Sequence, residues 1–285
     1  MDKIKIAAVQ MNASIDDLAH NLSVHDRFAR KAAKAGCRLV LFPELSATAH
    51  YGDAGATRFA ERAESGPVYK AISLLARELG IVISYGFCEK AAGTYYNAQA
   101  VVGPSGLIGV QRKVHASGDE YLYFRMGRSM EVFDLGFCQA GILVCYDAEF
   151  FEAWRILALK GADVVLLPHA SRSGRGEHIQ ADKQKRSLKR MLSNLPGKRG
   201  FLAGDNAVFA VHCNQVDYNG HSTHSGGAFI LGPDGKLLAK SRAVLDDLMI
   251  TAELSPAALA EARGKSHATL KTRRPEVYTE LTRMI

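Results

Sequence analysis

Apolar and polar positions along this chain follow two periods, and the switches between them divide it into short strands and amphipathic helices. Alternating or continuously apolar runs predict strands at Lys3–Gln10, Arg38–Phe42, Ile81–Lys90, Thr94–Gly103 and Leu107–Arg112. Further strands are predicted at Glu131–Leu135, Cys138–Val144 and Ala162–Pro168. The last third adds Phe201–Asp205, Val208–His212, Gly227–Leu231, Lys236–Lys240 and Leu248–Ala252. Helical spacing predicts helices over Asp16–Ala35, Pro67–Leu79, Glu149–Lys160 and residues 178–195. The turns "GPSG" (Gly103–Gly106) and "GPDG" (Gly232–Gly235) each join two strands, so "AQAVVGPSGLIG" and "GAFILGPDGKLL" read as related hairpins in two halves. No linker, low-complexity tract or solenoid repeat interrupts the pattern. Residues 1–285 therefore read as a single α/β domain, a four-layer α-β-β-α sandwich with two mixed β-sheets.

Composition narrows the class without changing that architecture. Of 285 residues, 47% are apolar and 23% charged, the balance of a soluble globular protein. No apolar run approaches the roughly 20 residues that span a bilayer, and "MDKIKIAAVQ" reads directly as a strand rather than a leader. The five cysteines are scattered, odd in number and without a C-x-x-C pair. Reduced thiols and a cytoplasmic location are the expectation. The net charge of +7 comes largely from "KQKRSLKR" (Lys183–Arg190) and "KTRRPE" (Lys271–Glu276). With no helix-turn-helix or RNA-binding signature nearby, neither a nucleic acid nor a membrane is an expected partner. The first stretch reads as a solvated helix face, and the segment from about 255 as a tail for subunit contacts.

Four residues stand at ends of apolar runs or in the irregular segment between them. Glu44 follows the strand in "LVLFPEL", Lys113 ends one in "GVQRKVH", Cys145 ends another in "GILVCYD", and Glu120 lies between the last two. Taken alone, each has an ordinary reading: a solvated or capping acid, a surface lysine, a small core thiol, a loop acid. Together they have one chemical logic. A thiol is a weak nucleophile until a base takes its proton, and a shielded carboxylate can do so. Attack on an amide carbonyl creates an oxyanion, which needs a positive charge or oriented donors. Lys113 supplies the charge, and the backbone N–H of Tyr146 supplies a donor.

The stretches "FPEL", "RKVH" and "GILVCYDAEFFEAWRILALKGADVVLLP" resemble the nitrilase, or carbon–nitrogen hydrolase, superfamily, and the likeness extends to "IAAVQM", "NAQAVVGPSGLIG", "FAVHCNQV" and "SGGAFILGPDG". The resemblance implies a Glu–Lys–Cys triad with a second Glu, at Glu44, Lys113, Cys145 and Glu120, on the same four-layer sandwich. It implies hydrolysis of a non-peptide C–N bond through a cysteine thioester, with Glu120 orienting Lys113 or the substrate. No metal or organic cofactor is implied. Two departures stand out: Phe151 precedes Glu152 where the family commonly has Pro, and "SRSGRGEHIQADKQKRSLKRMLSNLPGKRG" is long and basic. A homodimer or higher homo-oligomer is implied by resemblance alone.

Substrate candidates lie in loops above the strand ends: Tyr51, Tyr121, Phe124, His169, Ser171, Arg172 and Arg175. Either arginine could hold a substrate carboxylate by paired hydrogen bonds. The expected substrate is a small amide or N-carbamoyl compound. A nitrile is the alternative, and beyond that stand a catalytically silent ligand-binding homologue and a glutaminase acting in trans. His221 and His224 in "HSTH" read as a polar loop rather than metal ligands, and the hairpin glycines do not open a phosphate-binding helix. His115 could mimic a Cys–His pair, but no Asn or Asp partner is evident for it in the sequence.

Overall fold

Alternate side chains of the first strand enter two different cores. Ile4, Ile6 and Ala8 face one, and Ala7 and Val9 the other. The computed structural model describes residues 1–51, 54–174, 176–265 and 269–283. In chain order its elements begin with β1 (Ile4–Gln10), α1 (Leu18–Lys34), β2 (Leu39–Leu41), α2 (Pro67–Leu79), β3 (Val82–Ala91), β4 (Thr94–Gly103) and β5 (Gly106–Arg112). They continue with β6 (Val132–Asp134), β7 (Gln139–Ile142), α3 (Phe151–Leu159), β8 (Val164–His169), β9 (Arg172–Gly174) and α4 (Ala181–Asn206). The last are β10 (Phe209–Asn214), β11 (Val216–Tyr218), β12 (Thr223–Ser225), β13 (Ala228–Leu231), β14 (Leu237–Lys240), β15 (Leu248–Leu254) and α5 (Pro256–Gly264).

Two six-stranded sheets follow, ordered β15-β1-β2-β3-β4-β5 and β6-β7-β8-β10-β13-β14. Read in that direction, both have one antiparallel, two parallel and two antiparallel pairings. The two halves are thus related, and "GPSG" and "GPDG" turn the corresponding hairpins, β4–β5 and β13–β14. One core lies between the sheets, where Ile6, Leu41 and Val82 share a cluster with Ile142, Leu166, Val211 and Ile230. A second joins the first sheet to α1 and α2 through Val24, Phe28, Ile72, Val40 and Phe87. A third joins the other sheet to α3 and α4 through Trp154, Leu157, Val165, Ala203 and Phe229. Three cores between four layers make the α-β-β-α sandwich, with strands reading as apolar runs because both faces are covered.

Two sequence expectations change. The helix expected over residues 178–195 runs on to Asn206, so Phe201–Asp205 is helical and not a strand. Pro196 removes one N–H from the ladder, but the inner face carries the helix across it: Leu188, Leu192, Pro196, Gly200 and Ala203 are all buried. A Cβ at Gly200 would lie 2.4 Å from the Gly235 carbonyl, which shows how closely helix and hairpin approach. Phe201, on the outer face, is 75% exposed. The segment from about 255 is also more than a tail, because Leu259 of α5 is buried and belongs to the inter-sheet core. Lys183, Lys185, Arg186, Lys189 and Arg190 are exposed on α4, as a solvated face requires.

Candidate active site

The two sheets contribute different parts of one pocket of about 480 Å³. Glu44 comes from the loop after β2, Lys113 from the residue after β5, and Glu120 from the short 3-10 turn Gly118–Leu122. Cys145 opens a 3-10 turn, Cys145–Glu149, three residues after β7 on the other sheet. Its φ of 52° lies in the left-handed region that non-glycine residues rarely adopt, a strained turn at the end of the strand.

Lys113 is the centre of the ionic arrangement. Its Nζ donates to Glu44 Oε1 at 2.7 Å and lies 2.8 Å from Glu120 Oε2, with all three side chains buried. Asn97 Nδ2 donates to both acids, at 2.7 Å to Glu44 Oε1 and 3.2 Å to Glu120 Oε1. Glu44 Oε2 accepts the Ala170 N–H at 2.8 Å, and Glu120 Oε2 accepts the Ser117 N–H at 2.7 Å. Burial opposes charge on Lys113, but Glu44, Cys145 and Glu120 outweigh it and hold the ammonium above its ordinary range. Burial likewise works against an ionised Glu120, yet Lys113 and His50 hold that carboxyl well below the usual range. An ammonium has three donors and the two acids use two, so one N–H remains for an incoming oxyanion.

The thiol is set for a different state. Burial, with Glu44 and Glu120 adding to it and Lys113 opposing, pushes Cys145 up to about 12, so it rests protonated. The turn is fastened by buried Asp147, whose carboxylate accepts the N–H groups of Val114, His115 and Val144 and pairs with His115 Nδ1 at 2.8 Å. This one side chain links the residue after Lys113 to the residue before Cys145. It also corrects the reading of His115: an Asp partner exists, but the ring stacks on Phe150 and is not among the residues lining the pocket.

Of the other sequence candidates, Tyr146, His169, Ser171 and Arg172 line the pocket. Tyr51 does not: it is buried in the core against α1 and α2, and its hydroxyl is tied to Asp16. Tyr121 is 64% exposed and outside the pocket. Phe124 is buried beside Asn97, Lys113 and Glu120 and is not among the residues lining the pocket. Arg175 lies outside the described residues. His224 is buried, held well below the ordinary histidine range first by burial, with its Nδ1 facing the Ala170 carbonyl. Sequence reasoning missed His50, whose Nε2 is 3.6 Å from Glu120 Oε1, and Asn97, the donor shared by both acids. Among the described residues, Glu44, His50 and Glu120 bring ligand-type atoms within 4.8 Å of one another. Lys113 Nζ already bridges the two carboxylates, so the cation of this cluster is an ammonium. Elsewhere, no described helix is long and apolar enough to cross a membrane.

A sequence model described as carbon-nitrogen hydrolase matches residues 5–264. A nitrilase of Pyrococcus abyssi is 38% identical over 168 residues, covering 58% of this chain and 64% of that protein. A citrullinase of Francisella tularensis subsp. tularensis is 29% identical over 299 residues, covering 99% of each. An N-carbamoylputrescine amidase of Solanum lycopersicum is 29% identical over 299 residues, 98% of this chain and 94% of that one. Among solved structures, an amidase from Nesterenkonia sp. superposes with a TM-score of 0.80 at 23% identity, over 98% of this chain and 96% of the other.

Proposed function

The chain belongs to the carbon–nitrogen hydrolase family, and from that premise we propose that Cys145 is its nucleophile, in a thiol hydrolase of small amides and N-carbamoyl compounds. The observation that carries the reading is the buried Lys113 bridging Glu44 and Glu120 in the pocket that holds Cys145. Glu44 takes the Sγ proton as sulfur attacks the carbonyl carbon. The free N–H of Lys113 and the backbone N–H of Tyr146 hold the oxyanion. Protonated Glu44 then donates to the departing nitrogen, the C–N bond breaks, and ammonia or an amine leaves. Water attacks the thioester while Glu44 takes a proton from it. The C–S bond breaks, its electron pair stays on sulfur, and Glu44 returns the proton there. Glu120 keeps Lys113 charged and in place throughout.

The names of two relatives that cover nearly the whole chain, the citrullinase and the N-carbamoylputrescine amidase, favour an N-carbamoyl substrate. Arg172 supports an anionic group at its far end: Nη1 is buried without a hydrogen-bond partner, and the side chain lines the pocket. A nitrile substrate is the second reading, favoured by the 38% identity to a nitrilase over part of the chain. The test is product release from N-carbamoyl amino acids, N-carbamoyl amines, primary amides and nitriles, by wild type and Cys145→Ala side by side in mass spectrometry. Turnover by wild type alone, best on N-carbamoyl acids, is expected. Preference for nitriles selects the second reading, and equal turnover by both proteins removes Cys145 from the mechanism.

A further inference from the structure

The residues at the end of β8 pass both reacting groups in turn. The Ala170 N–H is bonded to Glu44, and the next residue places Ser171 Oγ 3.9 Å from Cys145 Sγ. The backbone beneath that hydroxyl is fixed. Ser171 N–H donates to Asn214 Oδ1 at 2.9 Å, the Ser171 carbonyl accepts from Ser225 N–H at 2.8 Å, and Asn214 Nδ2 is tied to the Gly226 carbonyl. The same hydroxyl also meets His169 Nδ1, at 3.3 Å. This buried imidazole packs against His212, ring centroids 4.4 Å apart, and His212 stacks on Phe229. Burial, then His212, Arg199 and Lys113, hold His169 well below the ordinary histidine range, so the ring is neutral and carries a single N–H.

Its partners decide which nitrogen carries that hydrogen. Nε2 is buried with no hydrogen-bond partner, and a buried donor without an acceptor is rarer than the reverse. The hydrogen therefore belongs on Nδ1, donating to Ser171 Oγ, which leaves the hydroxyl's own hydrogen for the sulfur. The sulfur bears negative charge twice in the proposed cycle: as Glu44 removes its proton, and as the C–S bond of the thioester breaks.

We propose that Ser171 is a further catalytic residue of this hydrolase and His169 its positioning residue: the hydroxyl, held by the His169 N–H, donates a hydrogen bond to Cys145 Sγ whenever the sulfur is anionic. No proton moves along this route, since Glu44 both removes and returns it. The assignment rests on Cys145 being the nucleophile, and not on which substrate it attacks.

Alkylation of Cys145 by iodoacetamide, followed by mass spectrometry, tests it without a substrate. A hydrogen bond to a charged group supports an expected slowing of roughly tenfold to a hundredfold in Ser171→Ala. Ser171→Thr, which keeps the hydroxyl, recovers most of the rate. His169→Gln slows alkylation in the wild-type background and changes nothing in the Ser171→Ala background, because it acts through the hydroxyl. On an accepted substrate, Ser171→Ala lowers kcat with little change in KM. Equal alkylation of wild type and a folded Ser171→Ala overturns the proposal, as does a rise in KM alone. A wild type silent on every substrate, whose alkylation still follows the hydroxyl, defeats the substrate reading and leaves this one standing. Cys145→Ala as active as wild type defeats both.

Discussion

Gly86, on β3, is where the position of Glu44 is most exposed to a single methyl group. A Cβ there would lie 2.1 Å from Leu45 N, 2.6 Å from the Pro43 carbonyl oxygen and 2.7 Å from the Glu44 carbonyl carbon. All three are backbone atoms, so no side chain can swing aside. Reaching an ordinary contact of 3.4 Å moves the backbone at Leu45 by about 1.3 Å. The loop cannot give freely, because Phe42 N–H donates to the Ser84 carbonyl, Gly86 N–H to Ser46 Oγ and Ala47 N–H to the Gly86 carbonyl. Gly86→Ala should therefore displace Glu44 from Lys113, Asn97 and Ala170 together. Misplacement of a catalytic group by about 1 Å costs on the order of a hundredfold in rate, and overpacking of this kind costs about 1–3 kcal/mol of stability. The assay is kcat/KM on an accepted amide or N-carbamoyl substrate, with thermal unfolding in parallel. Gly197→Ala is the control, since nothing lies within 4 Å of its would-be Cβ; it should be neutral or slightly stabilising. Rates within twofold of wild type, with an unchanged Tm, would refute the reasoning and free Glu44 from this constraint.

Other outcomes follow from the same geometry. Asp147→Ala removes the acceptor of three N–H groups between Lys113 and Cys145, that of Val144 buried and those of Val114 and His115 half-buried, so a loss of about 3 kcal/mol is expected; an unchanged midpoint in urea would contradict it. His25, His169, His212 and His224 are all buried with folded values below the ordinary 6.5, His25 at about 4. Protonation thus favours the unfolded chain: the stability is complete above about pH 6.5 and is lost as pH falls below it, by roughly 1 kcal/mol per histidine for each pH unit. A flat stability curve from pH 7.5 to 5.5 would exclude this. With the thiol near 12, alkylation of Cys145 should keep rising through pH 9, and a plateau near pH 7 would mean a preformed thiolate.

How much was legible depended on whether a residue stood next to a periodic run. Glu44, Lys113 and Cys145 were legible only as a set: each stands at the end of a predicted strand and alone has an ordinary reading, but a carboxylate, an ammonium and a thiol in that order share one chemical logic and resemble one family's site. His50 lies in "SATAHY", a stretch with no period to say which side chains turn inward, so the sequence points to its neighbour Tyr51, which packs in a helix-side core. Asn97 did leave a signal: β4 carries two amides, Asn97 and Gln99, among apolar residues, and a buried amide needs a partner; Asn97 finds two acids. The small sheet of β9, β11 and β12 has strands of three residues, too short for any alternation to register. The path of α4 through Pro196 was hidden because local propensity argues against it and only packing supports it.

The pairing of β1 with β15 sets Ile4 opposite Leu254, and this bears on how the molecule comes into being during synthesis. The sheet that presents Cys145 is drawn from residues 132–240, one uninterrupted stretch. The sheet that presents Glu44 and Lys113 has its first-made strand waiting, unpaired on one edge, for nearly the last-made one. Contacts between such distant parts of the chain form late, and domains are built in the order they emerge. The half that carries Cys145 can close first, so in a nascent chain the strand-end turn of that thiol can be in place before the sheet beneath Glu44 and Lys113 is complete.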